Sequence, residues 1–319
     1  MALQLLILLG GLLLVVKGAD RLVDGAASIA RKAGISEFVI GLTIVGFGTS
    51  CPELVVSLTG AIAGNSDISL GNVVGSNICN TLLILGLTAV IAPIAITQAN
   101  RKRDIPVTVA VSALLILMGM KHSLFGIGDH DGLGRIEAGI FLALMGWYLW
   151  SCFRHDDGSA AEEVPQKEFK TWQAWALVVL GLAELVLGGQ MFVNSATDIA
   201  HRLNVSDKFI AITVLALGTS LPELATCVVA AAKHKGQLAL GNILGSNVFN
   251  ILLILGCAGL VHPLDFTGIS FIDLGAMLLS VLLVWAGAYC WKKNLLDRVD
   301  GAILLLTEIA YIVWLFVTK

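Results

Sequence analysis

Two short patterns of small, hydroxyl, amide and acidic residues each occur twice in this chain. Residues 48–53 read GTSCPE and residues 218–223 read GTSLPE, so both copies end in a glutamate. A second pattern follows each copy, GNVVGSNICN over residues 71–80 and GNILGSNVFN over residues 241–250. Both patterns recur at an interval of 170 residues without a gap. One duplicated unit is the economical explanation.

The first pattern is predicted to interrupt a helix. Proline has no amide hydrogen and clashes with the carbonyl group four residues earlier, which for Pro52 belongs to Gly48. Pro52 suits the first turn of a new half-helix, so Glu53 would stand beside the positive end of that half-helix, where a carboxylate is favoured. The freed backbone oxygens near Thr49 need a partner from the protein or a polar cavity. The same expectation holds for the second copy.

The composition predicts that these acids lie in a membrane. Hydrophobic residues make up 57% of the chain, charged residues make up 13%, and the mean hydropathy is +0.87. Soluble domains have roughly 45–50% apolar and about 25% charged residues. The net charge of −3 and the lack of a basic patch among aromatic residues argue against nucleic acid as a partner. We therefore expect an all-α integral membrane protein that is surrounded by the lipid bilayer.

Acidic residues inside a membrane are expected to be functional. A carboxylate near the middle of the bilayer costs about 2.5 to 3.5 kcal/mol on insertion scales. The alternative is that Glu53 and Glu223 are protonated or paired with a base, but no Lys or Arg lies near either one in the motif helices. Glu184 and Glu308 have no acidic counterpart in the other half of the chain, which favours structural roles for those two.

Ten apolar segments are long enough to cross about 30 Å of hydrocarbon, which takes roughly 17 to 25 helical residues. They begin near Leu3, Phe38, Ile68, Ile105, Ile136, Trp172, Phe209, Leu238, Phe271 and Gly301. The sequence thus predicts ten transmembrane helices in two five-helix repeats, residues 1–153 and 171–319, joined by a polar linker over residues 154–170. The duplicated motif regions span residues 41–86 and 211–256. An odd number of helices per repeat requires that the two repeats have inverted topology.

The distribution of Lys and Arg predicts the orientation. If the N-terminus lies outside, thirteen of these residues fall in the inner connections and five on the outer side. Basic residues favour the cytoplasmic side of a membrane. We therefore expect both termini outside a plasma or inner membrane, with the linker in the cytoplasm.

Inverting one repeat against the other would bring the two helix breaks together near the midplane. The candidate ligands from both repeats are Thr49, Ser50, Glu53, Ser76, Asn80, Thr219, Ser220, Glu223, Ser246 and Asn250. All of them offer oxygen, which hard cations prefer, and calcium takes 6 to 8 oxygen ligands. Two ionised glutamates would neutralise one divalent ion. No catalytic residue and no cofactor is predicted, only transported ions.

The polar residues and the glycines of the second pattern are predicted to have different roles. Ser76 and Asn80 stand one α-helical turn apart, so ligation and hydrogen bonding between helices are both open for them, as for Ser246 and Asn250. The glycines of this pattern, Gly71 and Gly75 in the first copy, are predicted to let another helix approach closely.

At these residues the chain resembles the cation/calcium antiporter family, and within it the prokaryotic sodium/calcium exchangers. The resemblance implies an antiporter whose second, third, seventh and eighth helices enclose the ions while the first and sixth slide past them to alternate access. The residues expected to hold calcium are Glu53, Glu223, Thr49 and Thr219. Those expected to complete sodium sites that share the glutamates are Ser50, Ser76, Ser220 and Ser246. The carbonyl groups of Gly46 and Ala216 match positions that contribute to sodium binding in such exchangers.

One departure from the family bears on ion choice. Potassium-dependent exchangers carry an aspartate at the position of Asn250, so the amide argues against potassium co-transport. The Gly-Asn-x-x-Glu pattern of proton/calcium exchangers is also missing, although a proton-coupled antiporter remains the alternative.

An intramembrane hydrolase would need a nucleophile with a base, and the sequence has no such signature. A passive channel would not require two inverted helix breaks.

Overall fold

The computed structural model describes residues 2–154, 169–202, 216–291 and 294–318, and most of them are helical. The helices of the first half are α1 (Ala2–Ala33), α2 (Glu37–Thr49), α3 (Cys51–Ile62), α4 (Ser66–Ile91), α5 (Ile105–Gly119), α6 (Lys121–Phe125) and α7 (Arg135–Arg154). Those of the second half are α8 (Thr171–Arg202), α9 (Ala216–Thr219), α10 (Leu221–Ala232), α11 (Gly236–Val261), α12 (Phe271–Ala286) and α13 (Arg298–Thr318). The strands are β1 (Ile94–Ala95), β2 (Gly132–Leu133), β3 (Leu264–Asp265) and β4 (Leu295–Leu296).

The prediction of an all-helical membrane protein is confirmed in its general form. Six helices of the described part are long and apolar enough to cross a membrane, and a seventh crossing results if α2 and α3 are one bent span. Nine of the ten predicted segments begin within three residues of a helix start. The segment that was predicted to begin near Phe209 starts outside the described residues. The count of ten membrane crossings stays a prediction.

Helices α1 and α8 pack against each other in antiparallel orientation. A methyl group built on Gly18 would lie 2.7 Å from the carbonyl oxygen of Gly181, and one on Gly188 would lie 2.7 Å from that of Gly11. Residues later in α1 therefore contact residues earlier in α8, as in an antiparallel pair. Such close backbone approach needs glycine at the contact, as in other membrane helix pairs.

The centre of the molecule is formed by α4 and α11. In their most apolar windows, 72% and 83% of the residues are buried, compared with 22% and 28% for α1 and α8. Gly245 brings α11 close to α2, because a methyl group built there would lie 2.6 Å from the carbonyl oxygen of Leu42. The glycine approach predicted for the second pattern is thus seen in its second copy. For Gly71 and Gly75, the equivalent partner segment belongs to residues 203–215, which lie outside the described ranges.

The short strands tie the two halves of the chain together. Strand β1 pairs with β4, and β2 pairs with β3, both antiparallel. Each pair therefore takes one strand from either half. In these strand pairs, and in the antiparallel pair of α1 and α8, an element of one half contacts an element of the other half.

Candidate functional site

Both copies of the first pattern interrupt a helix, as the sequence predicts. Ser50 has φ −83° and ψ 7° and separates α2 from α3, whose axes differ by 48°. Ser220 has φ −85° and ψ 6° and separates α9 from α10. The proline lies at the start of the new helix in each case, and the glutamate lies in its first turn. The local chemistry of proline is sufficient to explain these breaks.

The two breaks face each other through their serines and glutamates. Glu53 and Glu223 are 1% and 0% exposed, so neither faces lipid. The hydroxyl of Ser50 donates to Glu223 Oε1 at 3.1 Å, and the hydroxyl of Ser220 lies 3.5 Å from Glu53 Oε1. Each half therefore supplies the hydroxyl that contacts the carboxylate of the other half.

Four buried oxygen atoms of the predicted ligands have no hydrogen-bond partner among the described residues. They are Glu53 Oε2, Glu223 Oε2, Asn80 Oδ1 and Asn250 Oδ1. A buried acceptor without a partner costs about 1 to 3 kcal/mol, and a charged one costs more. None of the ion pairs in the described part of the chain includes either glutamate. A bare cation is the kind of group that satisfies such a set of acceptors.

Hydroxyl groups and a backbone carbonyl surround the same region. Thr49 Oγ1 lies 3.2 Å from Asn242 Oδ1 and 3.4 Å from the carbonyl oxygen of Gly46. The hydroxyl of Ser246 also lies 3.5 Å from that carbonyl oxygen. Ser76 and Ser246 are both buried. The structure thus gathers Gly46, Thr49 and Ser246 at one contact between α2 and α11. For Ala216 only the backbone is described.

Asn80 and Asn250 occupy irregular helix turns. Each is the second residue of a π-helical turn, Cys79–Leu85 within α4 and Phe249–Ile254 within α11. The sequence predicts a regular α-helical interval from Ser76 to Asn80, and the structure differs because the helix widens at Cys79. Single π-helical turns are frequent at functional sites.

Among the described residues, a cavity of about 770 Å³ adjoins both breaks. Pro52 and Asn72 line it from the first half, and Thr219 and Pro222 line it from the second. Its opposite wall is formed by α8 and includes Gln190.

The internal repeat also identifies two residues near the site that are absent from the predicted ligand set. Asn72 donates to the main-chain carbonyl of Glu53 at 3.1 Å and to the hydroxyl of Ser57 at 3.0 Å. Asn242, its counterpart 170 residues later, contacts Thr49. Both asparagines belong to the repeated second pattern, so the interval of 170 residues was the signal that could have identified them.

The two single acids differ in their surroundings. Glu184 forms an ion pair with Arg21 between α8 and α1, as expected of a structural residue. Glu308 is buried, and its Oε2 has no hydrogen-bond partner within the described ranges. The structural role of Glu308 stays a prediction.

Known transporters resemble the chain over almost its entire length. The sodium/calcium exchanger protein family matches residues 3–154 and 173–317. The putative antiporter CaxA of Alkalimonas amylolytica is 40% identical over 312 residues, which cover 96% of each chain. The sodium/calcium exchanger MaX1 of Methanosarcina acetivorans is 33% identical, with 98% of each chain covered. A structure of the sodium-calcium exchanger NCX_Mj, soaked with sodium and calcium ions, is similar with a TM-score of 0.84 and 32% identity over 98% of both chains.

Proposed function

The chain belongs to the sodium/calcium exchanger protein family, and we propose that it exchanges sodium for calcium across a cell membrane by alternating access. As a member of that family it is a multi-pass cation/calcium antiporter, not an enzyme, and it moves ions without a bound cofactor. The observation that carries the proposal is the set of four unpartnered buried oxygens on Glu53, Glu223, Asn80 and Asn250.

The proposed calcium site lies between the two helix breaks. Calcium prefers 6 to 8 oxygen ligands, and two ionised carboxylates balance its charge. Glu53 and Glu223 would supply that charge, and Thr49 and Thr219 would add oxygens from the breaks. The unpartnered amide oxygens support a site that extends toward α4 and α11.

Sodium ions would compete for the same glutamates. Ser50 and Ser220 approach the carboxylates. They would serve as sodium ligands together with Ser76 and Ser246. Because sodium and calcium would share both carboxylates, binding of one would displace the other. Only a charge-balanced site would then permit the change of access, because an empty pair of buried carboxylates is costly.

Inverted repeats are the proposed architecture behind alternating access. We assign the repeats to residues 1–153 and 171–319, with the motif regions 41–86 and 211–256 and a cytoplasmic linker over 154–170. The antiparallel α1 and α8 and the exchanged Ser–Glu contacts support this assignment. Ten crossings with both termini on the same side follow from it, and the distribution of Lys and Arg favours the outer side. Helices α1 and α8 would slide along the central helices.

Coupled flux in proteoliposomes tests the proposed function. The purified chain is reconstituted with sodium inside, and uptake of radioactive calcium is followed after dilution into sodium-free buffer. We expect uphill calcium accumulation that a sodium gradient drives and that matched potassium or proton gradients do not. Accumulation driven by a proton gradient alone would establish the proton-coupled alternative. Calcium entry that only follows its own gradient would indicate a passive channel.

A further inference from the structure

A buried amide network connects α4 and α11 beside the candidate site. Asn77 Nδ2 donates to the main-chain carbonyl oxygen of Asn247 at 3.2 Å. Asn77 Oδ1 accepts from Asn250 Nδ2 at 2.9 Å. Asn77 and Asn250 are each 1% exposed, so water does not compete for these bonds. The network therefore links a residue outside the proposed ligand set to one inside it.

The bonding partners fix which way each amide points. A main-chain carbonyl can only accept, so Asn77 must direct its NH₂ group to Asn247 and its oxygen to Asn250. Only the NH₂ group of Asn250 can donate to that oxygen. The Oδ1 atom of Asn250 is thereby turned away from Asn77, and it is one of the four buried oxygens of the predicted ligands that have no partner among the described residues.

We propose that Asn77 is a positioning residue, which holds the amide of Asn250 so that its oxygen, and not its NH₂ group, meets the transported cation. The inference rests on the proposed role of Asn250 as a ligand. Without Asn77, the amide of Asn250 could rotate and present NH₂ hydrogens to a positive ion, which repels it. Groups that orient a metal ligand typically change metal affinity by 10- to 100-fold when they are removed.

The equivalent contact in the other half is not made. Asn247, the counterpart of Asn77, donates its Nδ2 to Thr81 Oγ1 at 2.7 Å. Its Oδ1 has no partner in the described part of the chain, so it does not hold Asn80 in the way that Asn77 holds Asn250. The two asparagines share residue type, motif position and burial, and Asn247 therefore offers a matched control.

A double-mutant cycle tests the positioning role by sodium-driven calcium uptake in proteoliposomes. Asn77→Ala should raise the KM for calcium roughly 10-fold or more, with a smaller effect on the maximal rate. In an Asn250→Asp background the same change should raise KM by no more than about two-fold, because a carboxylate has two equivalent oxygens and needs no orientation. An equal rise in KM in both backgrounds would overturn the inference.

Three controls separate positioning from loss of structure. Asn247→Ala should leave the calcium KM within about two-fold of the wild-type value, and a rise as large as that of Asn77→Ala would refute a specific role for Asn77. Asn77→Leu keeps the side-chain volume and replaces the alanine variant if that one loses its monodisperse peak in gel filtration. Asn250→Ala should raise KM on its own. If it does not, the ligand assignment fails together with the inference, whereas equal effects of Asn77→Ala in the two backgrounds remove the inference alone.

Discussion

At the scale of single residues, the two glutamates define what the site can bind. Each has one oxygen near a serine of the other half and one buried oxygen without a partner in the described ranges. A buried charge is tolerated only when it is paired, and no basic side chain of the described residues pairs with either glutamate. The missing positive charge is the one that a transported cation would provide.

Removing either charge should abolish calcium transport. Glu53→Gln or Glu223→Gln keeps the side-chain shape but leaves a single carboxylate, which cannot neutralise a divalent ion. We expect calcium uptake at the level of empty vesicles, with the variants still eluting as the wild type in gel filtration. Glu184→Gln is the control, because that glutamate pairs with Arg21 outside the site, and it should retain transport. Uptake at the wild-type rate in both site variants would exclude the paired-carboxylate account.

The sequence predicted the glutamates better than the amides because the two kinds of residue give different signals. A carboxylate in an apolar chain stands out by its cost alone, and Pro52 explains the local break without any tertiary contact. The orientation of Asn250 depends on Asn77, which belongs to the other half, so no local pattern could reveal it. The burial of Glu308 likewise results from tertiary packing.

At the scale of elements, the turn between α10 and α11 is tied to the first half by ion pairs. Lys235 bonds Glu37 at 2.9 Å, with both side chains about 95% buried, and Lys233 bonds Asp24 at 2.5 Å in a more exposed place. Burial lowers the pKa of Lys235, and the neighbouring charge of Glu37 opposes that shift. In the buried pair of Lys235 and Glu37, each charge is therefore stabilised by the other.

Breaking the buried pair should cost far more stability than breaking the exposed one. Lys235→Met leaves the Glu37 carboxylate buried without a partner, which costs about 3 to 5 kcal/mol. Lys233→Met, two residues away, removes partly exposed pairs worth about 1 kcal/mol or less. Thermal unfolding in detergent should show a large fall in apparent Tm for the first variant and a small one for the second. The double variant Glu37→Gln/Lys235→Met should recover most of the loss, and equal falls in both single variants would contradict this view.

Most helix positions were predictable, but their irregularities were not. Apolar length and the next polar connection place a helix start within a few residues, as for α5 at Ile105 and α12 at Phe271. The π-helical turn that begins at Cys79 widens the helix, although no residue of its sequence forbids a regular α-helix. The local sequence therefore predicts where helices lie, but it does not predict where they widen.

At the scale of the whole molecule, the contacts between the halves are reciprocal, as expected for the proposed pair of copies in opposite orientation. The breaks contact each other through Ser50 and Glu223 and through Ser220 and Glu53. The helix pair α1 and α8 and the strand pairs repeat the same exchange at the periphery. An inverted pair of similar units can open to either side of the membrane by exchanging their conformations, which is the basis of alternating access.

The ten-helix arrangement and the distribution of Lys and Arg together predict which loops face the cytoplasm. In a background without native cysteines, Gly158→Cys in the linker should react with a membrane-impermeant maleimide only after the inner face is exposed. Asp129→Cys, in the connection before α7, should react in intact right-side-out cells and serves as the matched outer control. Labelling of Gly158→Cys in intact cells would reverse the orientation that Lys and Arg indicate.

The position of the bound ion tests the central claim most directly. Crystals of the chain soaked with calcium in low sodium would be measured at a long X-ray wavelength, where calcium scatters anomalously. We expect a peak within about 2.3 to 2.6 Å of carboxylate oxygens from both Glu53 and Glu223, and its loss when sodium replaces calcium. A calcium peak that contacts only one of these glutamates, or lies elsewhere in the protein, would contradict the account.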